Sequence, residues 1–271
     1  MPPTVEASLR AARVMLARMT RTALVTGPTA GIGLAFAHQL AARGYDLVLV
    51  ARGEQRLKEV AAELASRYDV RTEVLPADLT DRTALARVEE RLRAGTPAVD
   101  LLVNNAGFGL KRPLLDNSVE DEQRMLDVLV TAVLRLSHAA LGAMVSRGSG
   151  AIVNVSSVAG FLPRGTYSAA KAYVTSFSQW ADVTYRPRGV QVMALCPGFT
   201  RTEFHQRMNV RRESAPSWSW LPVDRVVAEA LADLDAGKRL SVPSKRYKLV
   251  TALARYVPPS VLGRFQGMGR G

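Results

Sequence analysis

At 271 residues, 48% of them hydrophobic, the chain can bury a full core, and its near-zero mean hydropathy describes a soluble globular protein and excludes a disordered one. No uninterrupted run of about 18 apolar residues occurs, which predicts no membrane-spanning helix, and Arg10, Arg13 and Arg18 interrupt the N-terminus as a signal peptide. The net charge of +12 belongs to the ends: residues 1–21 carry +3, residues 236–271 carry +8 with no acid, and the middle carries +1.

In chain order, Val5, Leu9, Ala12, Leu16 and Met19 share one helical stripe, so residues 1–20 read as an amphipathic extension. A strand, Thr22–Thr26, runs into Gly27-Pro-Thr29-Ala-Gly31-Ile32-Gly33 and an Ala/Leu-rich helix to Arg43. A strand at Asp46–Ala51, a helix near Glu54–Arg67, a strand at Val70–Leu75 and a helix near Asp81–Arg93 follow. Val99–Val103 is a fourth strand ending in Asn104-Asn105-Ala106-Gly107, and one long helix is expected over about Val119–Val145. Ala151–Val155 is a fifth strand, and the next helix runs from near Thr166 to about Tyr185. Val190–Leu195 is a sixth strand, closed by Pro197-Gly198; a helix near Val223–Ala236 and a short strand at Leu240–Val242 complete the series.

Such alternation predicts an α/β fold, a doubly wound parallel sheet with helices on both faces, as one domain over 21–243 before a basic tail over 244–271. The sole cysteine, Cys196, excludes an internal disulfide and suits a reducing compartment, so a cytoplasmic protein is expected. His38, His138 and His205 are too scattered for a metal site.

Gly27, Gly31 and Gly33 sit between a strand and a helix, where glycines permit a tight turn and let backbone N–H groups approach a pyrophosphate. A dinucleotide site places an acid about 20 residues on, to hold the ribose 2′-hydroxyl. That strand end carries Ala51 and Arg52 instead, and Arg52 can pair with a 2′-phosphate, which predicts NADP(H) over NAD(H). Glu54 lies close enough to leave NAD(H) open.

The stretch SSVAGFLPRGTYSAAK, Ser156 to Lys171, places Tyr167 and Lys171 one turn apart on one helix face. An ammonium beside a phenol stabilises the phenolate. Bringing a tyrosine from about 10 to about 7 takes roughly 4 kcal/mol, to which one nearby cation and a cationic nicotinamide could contribute.

With Gly27-x3-Gly31-x-Gly33, Asn104-Asn105-Ala106-Gly107, the serine pair, Tyr167-x3-Lys171 and Pro197-Gly198 in this order, residues 21–243 resemble the short-chain dehydrogenase/reductases of single-domain type. The resemblance implies a Rossmann sheet of about seven strands and hydride transfer between nicotinamide and a carbonyl or alcohol. It implies Tyr167 as acid/base, Lys171 as the group that lowers its pKa and binds the nicotinamide ribose, and Ser157 as the substrate-polarising serine, with Ser156 a poorer alternative. Cofactor contacts are implied at Gly27, Thr29, Gly31, Ile32, Gly33, Arg52, Asp78 and Leu79 (the adenine end), Asn105, Ala106, Gly107, Pro197, Gly198, Thr200 and Thr202. Two departures stand out. Ser157 precedes Tyr167 by only ten residues, a tight loop that Pro163 and Gly165 suit. The family's helix asparagine, which helps hold a water chain to the lysine, aligns with Leu129, so a proton relay needs another route, such as Thr131, or turnover is impaired.

Between Phe199 and Pro222, Phe204, Met208, Trp218 and Trp220 suggest an apolar carbonyl or alcohol substrate. In the tail, Tyr247, Val250, Leu253, Ala254 and Val257 form an apolar face beside basic charge only, which fits either an anionic membrane surface through residues 244–271 or docking on protein. No nucleic-acid motif accompanies the charge. The family resemblance suggests a homodimer or homotetramer. The competing reading is a catalytically weak nucleotide-binding regulator or scaffold of the same fold.

Overall fold

A computed structural model describes residues 21–110, 112–201 and 219–254. The expected helix over 5–19, together with Thr202, Phe204, Met208, Trp218 and Val257, lies outside the described residues. Seven strands form: β1 (Thr22–Thr26), β2 (Asp46–Ala51), β3 (Thr72–Pro76), β4 (Leu101–Asn104), β5 (Gly150–Val155), β6 (Val190–Leu195) and β7 (Leu240–Ser241). They make one parallel sheet in the order β3-β2-β1-β4-β5-β6-β7. The strand order reverses between β1 and β4, which in open α/β sheets is where a ligand crevice opens.

Strand side chains alternate between two faces, and both faces are covered, so β1 is buried along its whole length. Ala23, Val25, Leu47, Leu49, Leu101 and Val153 pack against helices α1 (Gly31–Ala42), α2 (Glu54–Tyr68) and α7 (Val223–Asp235). Leu24, Val48, Val50, Leu102, Ile152 and Val192 pack on the other side, against α3 (Arg82–Arg93) and α5 (Ala132–Arg147).

The single helix expected over Val119–Val145 is three pieces: α4 (Val119–Leu126), a π turn over Asp127–Thr131, and α5. Ser118 caps α4 through the Asp121 N–H. The π turn brings Leu129 against the loop after β4, so close that a Cβ on Gly107 would lie 2.7 Å from a Leu129 methyl. Val119–Arg147 also holds an 18-residue window of mean hydropathy 1.8, long and apolar enough to cross a membrane, which reading by uninterrupted runs overlooked. Half of that window is buried, and Leu136, Ala140 and Met144 pack on the sheet, so the apolarity is that of a core helix.

The remaining α-helices among the described residues are α6 (Thr166–Tyr185), which packs beside β5 and β6, and α8 (Lys245–Ala254). Tyr247 and Thr251 of α8 face inward, whereas Leu249, Val250 and Leu253 are exposed. The expected apolar face is thereby corrected: Tyr247 belongs to the docked side.

Candidate active site

Because every strand runs the same way, the loops leaving their C-terminal ends share one edge. That edge carries the glycine turn after β1, Arg52 after β2, Asp78 and Leu79 after β3, and Asn105 to Gly107 after β4. Ser157 follows β5, Tyr167 and Lys171 open α6, and Pro197, Gly198 and Thr200 follow β6. The described candidates for catalysis and cofactor binding therefore lie along this edge; Thr202 falls outside the described residues.

The glycine turn is shaped by contact. Gly27 takes a φ of +67°, and a Cβ on Gly33 would sit 2.1 Å from the Gly27 carbonyl oxygen. No side chain caps the N-terminus of α1, whose first residue is Gly31. A concave turn with uncapped helix N–H groups behind it is an anion cradle, and the positive end of the helix dipole adds to it. Arg52 is exposed at the end of β2. Burial opposes ionisation of Asp78, but bonds from Thr80 and the Arg52 charge outweigh it and hold the carboxyl below its usual range.

Asn105 has a role the sequence did not show. Its side-chain amide donates to the carbonyls of Thr26 (2.9 Å) and Gly27 (3.1 Å), bracing the turn. Thr26, absent from the sequence-level candidates, accepts from the N–H groups of both Asn105 and Ala106, each at 2.9 Å. Its position as the last residue of β1 was the available signal.

Around α6 the two serines separate. Ser157 hydrogen-bonds the Tyr167 hydroxyl and accepts from the Ala159 N–H at 3.1 Å, which starts a short 3₁₀ turn over Val158–Phe161. That turn is how a separation of ten positions suffices from Ser157 to Tyr167. Ser156 is 2% exposed and lies behind Lys171, donating to the Lys171 carbonyl (2.7 Å) and hydrogen-bonded to the Thr175 hydroxyl (2.8 Å). Lys171 is itself buried; its Nζ donates to the Val155 carbonyl at 2.7 Å and stands 5.8 Å from the Tyr167 ring centre.

Burial pushes the Tyr167 phenol up to about 12, offset in part by the Ser157 bond. Burial likewise pushes the Lys171 amine down to about 8, offset in part by Cys196. The expected lowering of the phenol by Lys171 is thus not supplied by the protein's own groups: desolvating a phenolate outweighs an amine already engaged at Val155. At neutral pH Tyr167 is a phenol with a proton to give.

Leu129 is 1% exposed and clusters with Met125 and Ala170, with Tyr167, Leu110 and Val130 packed against them. The wall beside Tyr167 is therefore apolar where a polar relay was sought. Thr131 offers no substitute, for its hydroxyl meets Asp127 on its own turn at 3.5 Å. Glu122 was a further omission from the sequence reading. It is buried, and its carboxylate accepts from Thr166 (2.6 Å) and Asn117 (2.8 Å), tying the residue before Tyr167 to α4.

The family described as short chain dehydrogenase matches residues 21–213. Very-long-chain 3-oxoacyl-CoA reductase of Anas platyrhynchos is 34% identical over 190 residues, covering 67% of this chain and 60% of that protein. Sulfoacetaldehyde reductase 2 of Chromohalobacter salexigens is 38% identical over 191 residues, covering 69% and 75%. The chain thus spans less than two thirds of the length of the first of these. A short-chain dehydrogenase from Sphingobium yanoikuyae, solved in complex with NADPH, superposes with a TM-score of 0.80 at 36% identity, covering 87% of this chain and 94% of that one. The strand order, the glycine turn and a family match that spans most of the chain lead to one conclusion: the protein belongs to the short-chain dehydrogenase/reductase family.

Proposed function

We propose that this protein is an NADP(H)-dependent carbonyl reductase in which Ser157, Tyr167 and Lys171 carry out the chemistry. One observation carries the reading: a phenol kept neutral by burial, bonded by Ser157 and one helical turn from a buried lysine, at the edge where the glycine turn opens. The turn fits a dinucleotide, since Gly33 lets the Gly27 carbonyl and the Asn105 amide pack where a Cβ would lie and no side chain caps the α1 N–H groups beside them. Gly27, Thr29, Gly31, Ile32 and Gly33 hold the pyrophosphate, Arg52 the 2′-phosphate, and Asp78 and Leu79 the adenine. Ala106 and Gly107 wall the site with Asn105, whose amide braces the glycine turn, and Tyr167 and Lys171 hold the nicotinamide ribose. Pro197, Gly198 and Thr200 lie at the nicotinamide end.

Bound NADPH supplies the hydride. Ser157 and Tyr167 hold the substrate oxygen by hydrogen bonds that strengthen as negative charge builds there, and Tyr167 delivers the proton. At neutral pH the buried phenol is protonated, the form that reduction requires of its proton donor. The apolar wall of Met125, Leu129, Leu110 and Val130 beside Tyr167 favours an apolar carbonyl substrate, as does the acyl-CoA reductase relative. The NADPH of the solved relative supports the cofactor choice.

The test is NADPH oxidation against a panel of aliphatic, aryl and 3-oxoacyl thioester carbonyl compounds, with Tyr167→Phe beside it. Loss of general acid catalysis predicts a fall of about 100-fold or more; equal rates would remove Tyr167 from the mechanism. A second reading, a weakly catalytic nucleotide-binding regulator, draws on Leu129, and predicts NADPH binding with no turnover on any carbonyl.

Two surface features support partners. On α6, Tyr173, Trp180 and Val183 are exposed, with the Tyr173 and Phe177 rings stacked at 5.9 Å, an aromatic stripe that suits a second copy in a homodimer or homotetramer. On α8, exposed Leu249, Val250 and Leu253 beside exposed Lys245, Arg246 and Lys248 suit an anionic membrane surface. Truncating 244–271 would also remove the docked Tyr247. Leu249→Glu with Leu253→Glu, in sedimentation with phosphatidylserine vesicles, is the cleaner test, and undiminished binding would discard the idea.

A further inference from the structure

Tyr247 lies on a helix outside the family match, yet it reaches the loop after β6. Its hydroxyl accepts from the Phe199 N–H at 3.1 Å and donates to the Ser219 carbonyl at 2.8 Å. One phenol thus joins two stretches of chain. They already pair through the Leu221 N–H to the Phe199 carbonyl (2.8 Å) and the Arg201 N–H to the Leu221 carbonyl (3.0 Å). Tyr247 packs against the cluster of Ala194, Cys196 and Val242, as do Val158 and Phe161 of the turn that follows Ser157. Gly198 is shaped around that ring, for a Cβ there would lie 2.1 Å from two of its carbons.

The approach of α8 is itself fixed. Ser244 takes a left-handed φ of 80°, its N–H donates to Glu229 at 2.9 Å, and its carbonyl receives the Lys248 N–H at 3.1 Å. A non-glycine residue held in that region marks a turn that its surroundings over-determine. The turn aims Tyr247 at Gly198.

We infer that Tyr247 is a positioning residue: by filling the space under Gly198 and bonding Phe199, it sets the height of the Gly198–Thr200 backbone at the nicotinamide end of the site. This rests on the cofactor-binding reading above. The order of the sheet makes the effect local. Arg52 and Asp78 lie beyond β2 and β3 at one end, and Gly198 lies beyond β6 at the other, with β1, β4 and β5 between. Tyr247 therefore acts on one half of a dinucleotide and not the other.

That asymmetry gives a readout that a purely structural tyrosine would not move. NADPH and 2′,5′-ADP, which lacks the nicotinamide half, are titrated against the full chain and Tyr247→Phe by calorimetry. NADPH binding is expected to weaken about tenfold, the scale of one to two neutral hydrogen bonds, with 2′,5′-ADP binding unchanged. Equal weakening of both ligands, or of neither, overturns the proposal.

A double-mutant cycle gives a second readout, and Gly198→Ala on its own covers the case in which Tyr247 variants do not fold, for it should weaken NADPH binding and leave 2′,5′-ADP binding unchanged. Gly198→Ala is expected to weaken NADPH binding in the wild-type background and to cost no more than about twofold once Tyr247→Ala has removed the ring. An undiminished cost in the double variant overturns the proposal. A wild-type chain that takes up 2′,5′-ADP normally but not NADPH, or that binds neither, would instead bring down the cofactor reading itself.

Discussion

Replacing Lys171 by methionine separates what a buried charge costs the fold from what it gives the chemistry. The fall of the amine from 10.5 to about 8 on burial corresponds to about 3 kcal/mol against the folded state at neutral pH. Methionine removes that cost but leaves the Val155 carbonyl without the donor now 2.7 Å away, a loss of about 1–3 kcal/mol. Lys171→Met is thus expected to be as stable as the wild type at pH 7, or up to about 2 kcal/mol more so, while carbonyl reduction collapses.

The pH dependence is sharper. Below about 8 the amine is charged in both states and the penalty is fully present. Between about 8 and 10.5 the unfolded chain holds more protons than the folded one, so this group's contribution to stability rises with pH. Wild type should gain about 2.5 kcal/mol on Lys171→Met between pH 7 and pH 10. The Tyr167 contribution runs the other way, lost between its ordinary 10 and about 12, but it is common to both proteins and cancels in the difference. Urea unfolding at four or five pH values reads the comparison directly. Parallel stability curves would show that Lys171 is not a buried cation with a depressed pKa, and the account of the site's electrostatics would fail.

Leu129→Asn puts an amide among Met125, Ala170 and Gly107; a loss of about 2–3 kcal/mol is expected in denaturant unfolding, and an unchanged midpoint would mean that water already reaches this wall. Glu122→Ala unties Thr166 and Asn117 from α4, and should lower kcat for carbonyl reduction with little change in NADPH affinity; a shift confined to affinity would count against that role. Trp180→Glu charges the exposed α6 stripe, and size-exclusion chromatography with light scattering should show a smaller assembly than wild type; an unchanged mass would place the subunit contact elsewhere. Arg52→Asp should abolish the preference for NADPH over NADH in tryptophan quenching, and a preserved preference would remove Arg52 from cofactor selection.

Periodicity and turn chemistry are local properties, and they made much of this protein legible. Val190–Leu195 and Thr166–Tyr185 were bounded correctly because a buried parallel strand must be apolar on both faces and a helix before Pro187 must end there. Glycines at 27, 31 and 33 announced the turn because no side chain fits between Gly33 and the Gly27 carbonyl. The π turn was invisible, since one inserted residue leaves the apolar pattern of Val119–Val145 readable as a single helix. Long-range partners were invisible as well: Glu122 reaches Thr166, Thr26 reaches Asn105 and Tyr247 reaches Phe199 across spans that no local pattern encodes.

The residue types and their order determined the sheet and the family, and put Tyr167 and Lys171 one turn apart on α6. Only the tertiary structure decided how those side chains are charged and which serine meets the phenol. A pKa depends on the solvent excluded by residues far away in sequence, and burial drove Tyr167 up and Lys171 down against the simple expectation for neighbours on one helix face.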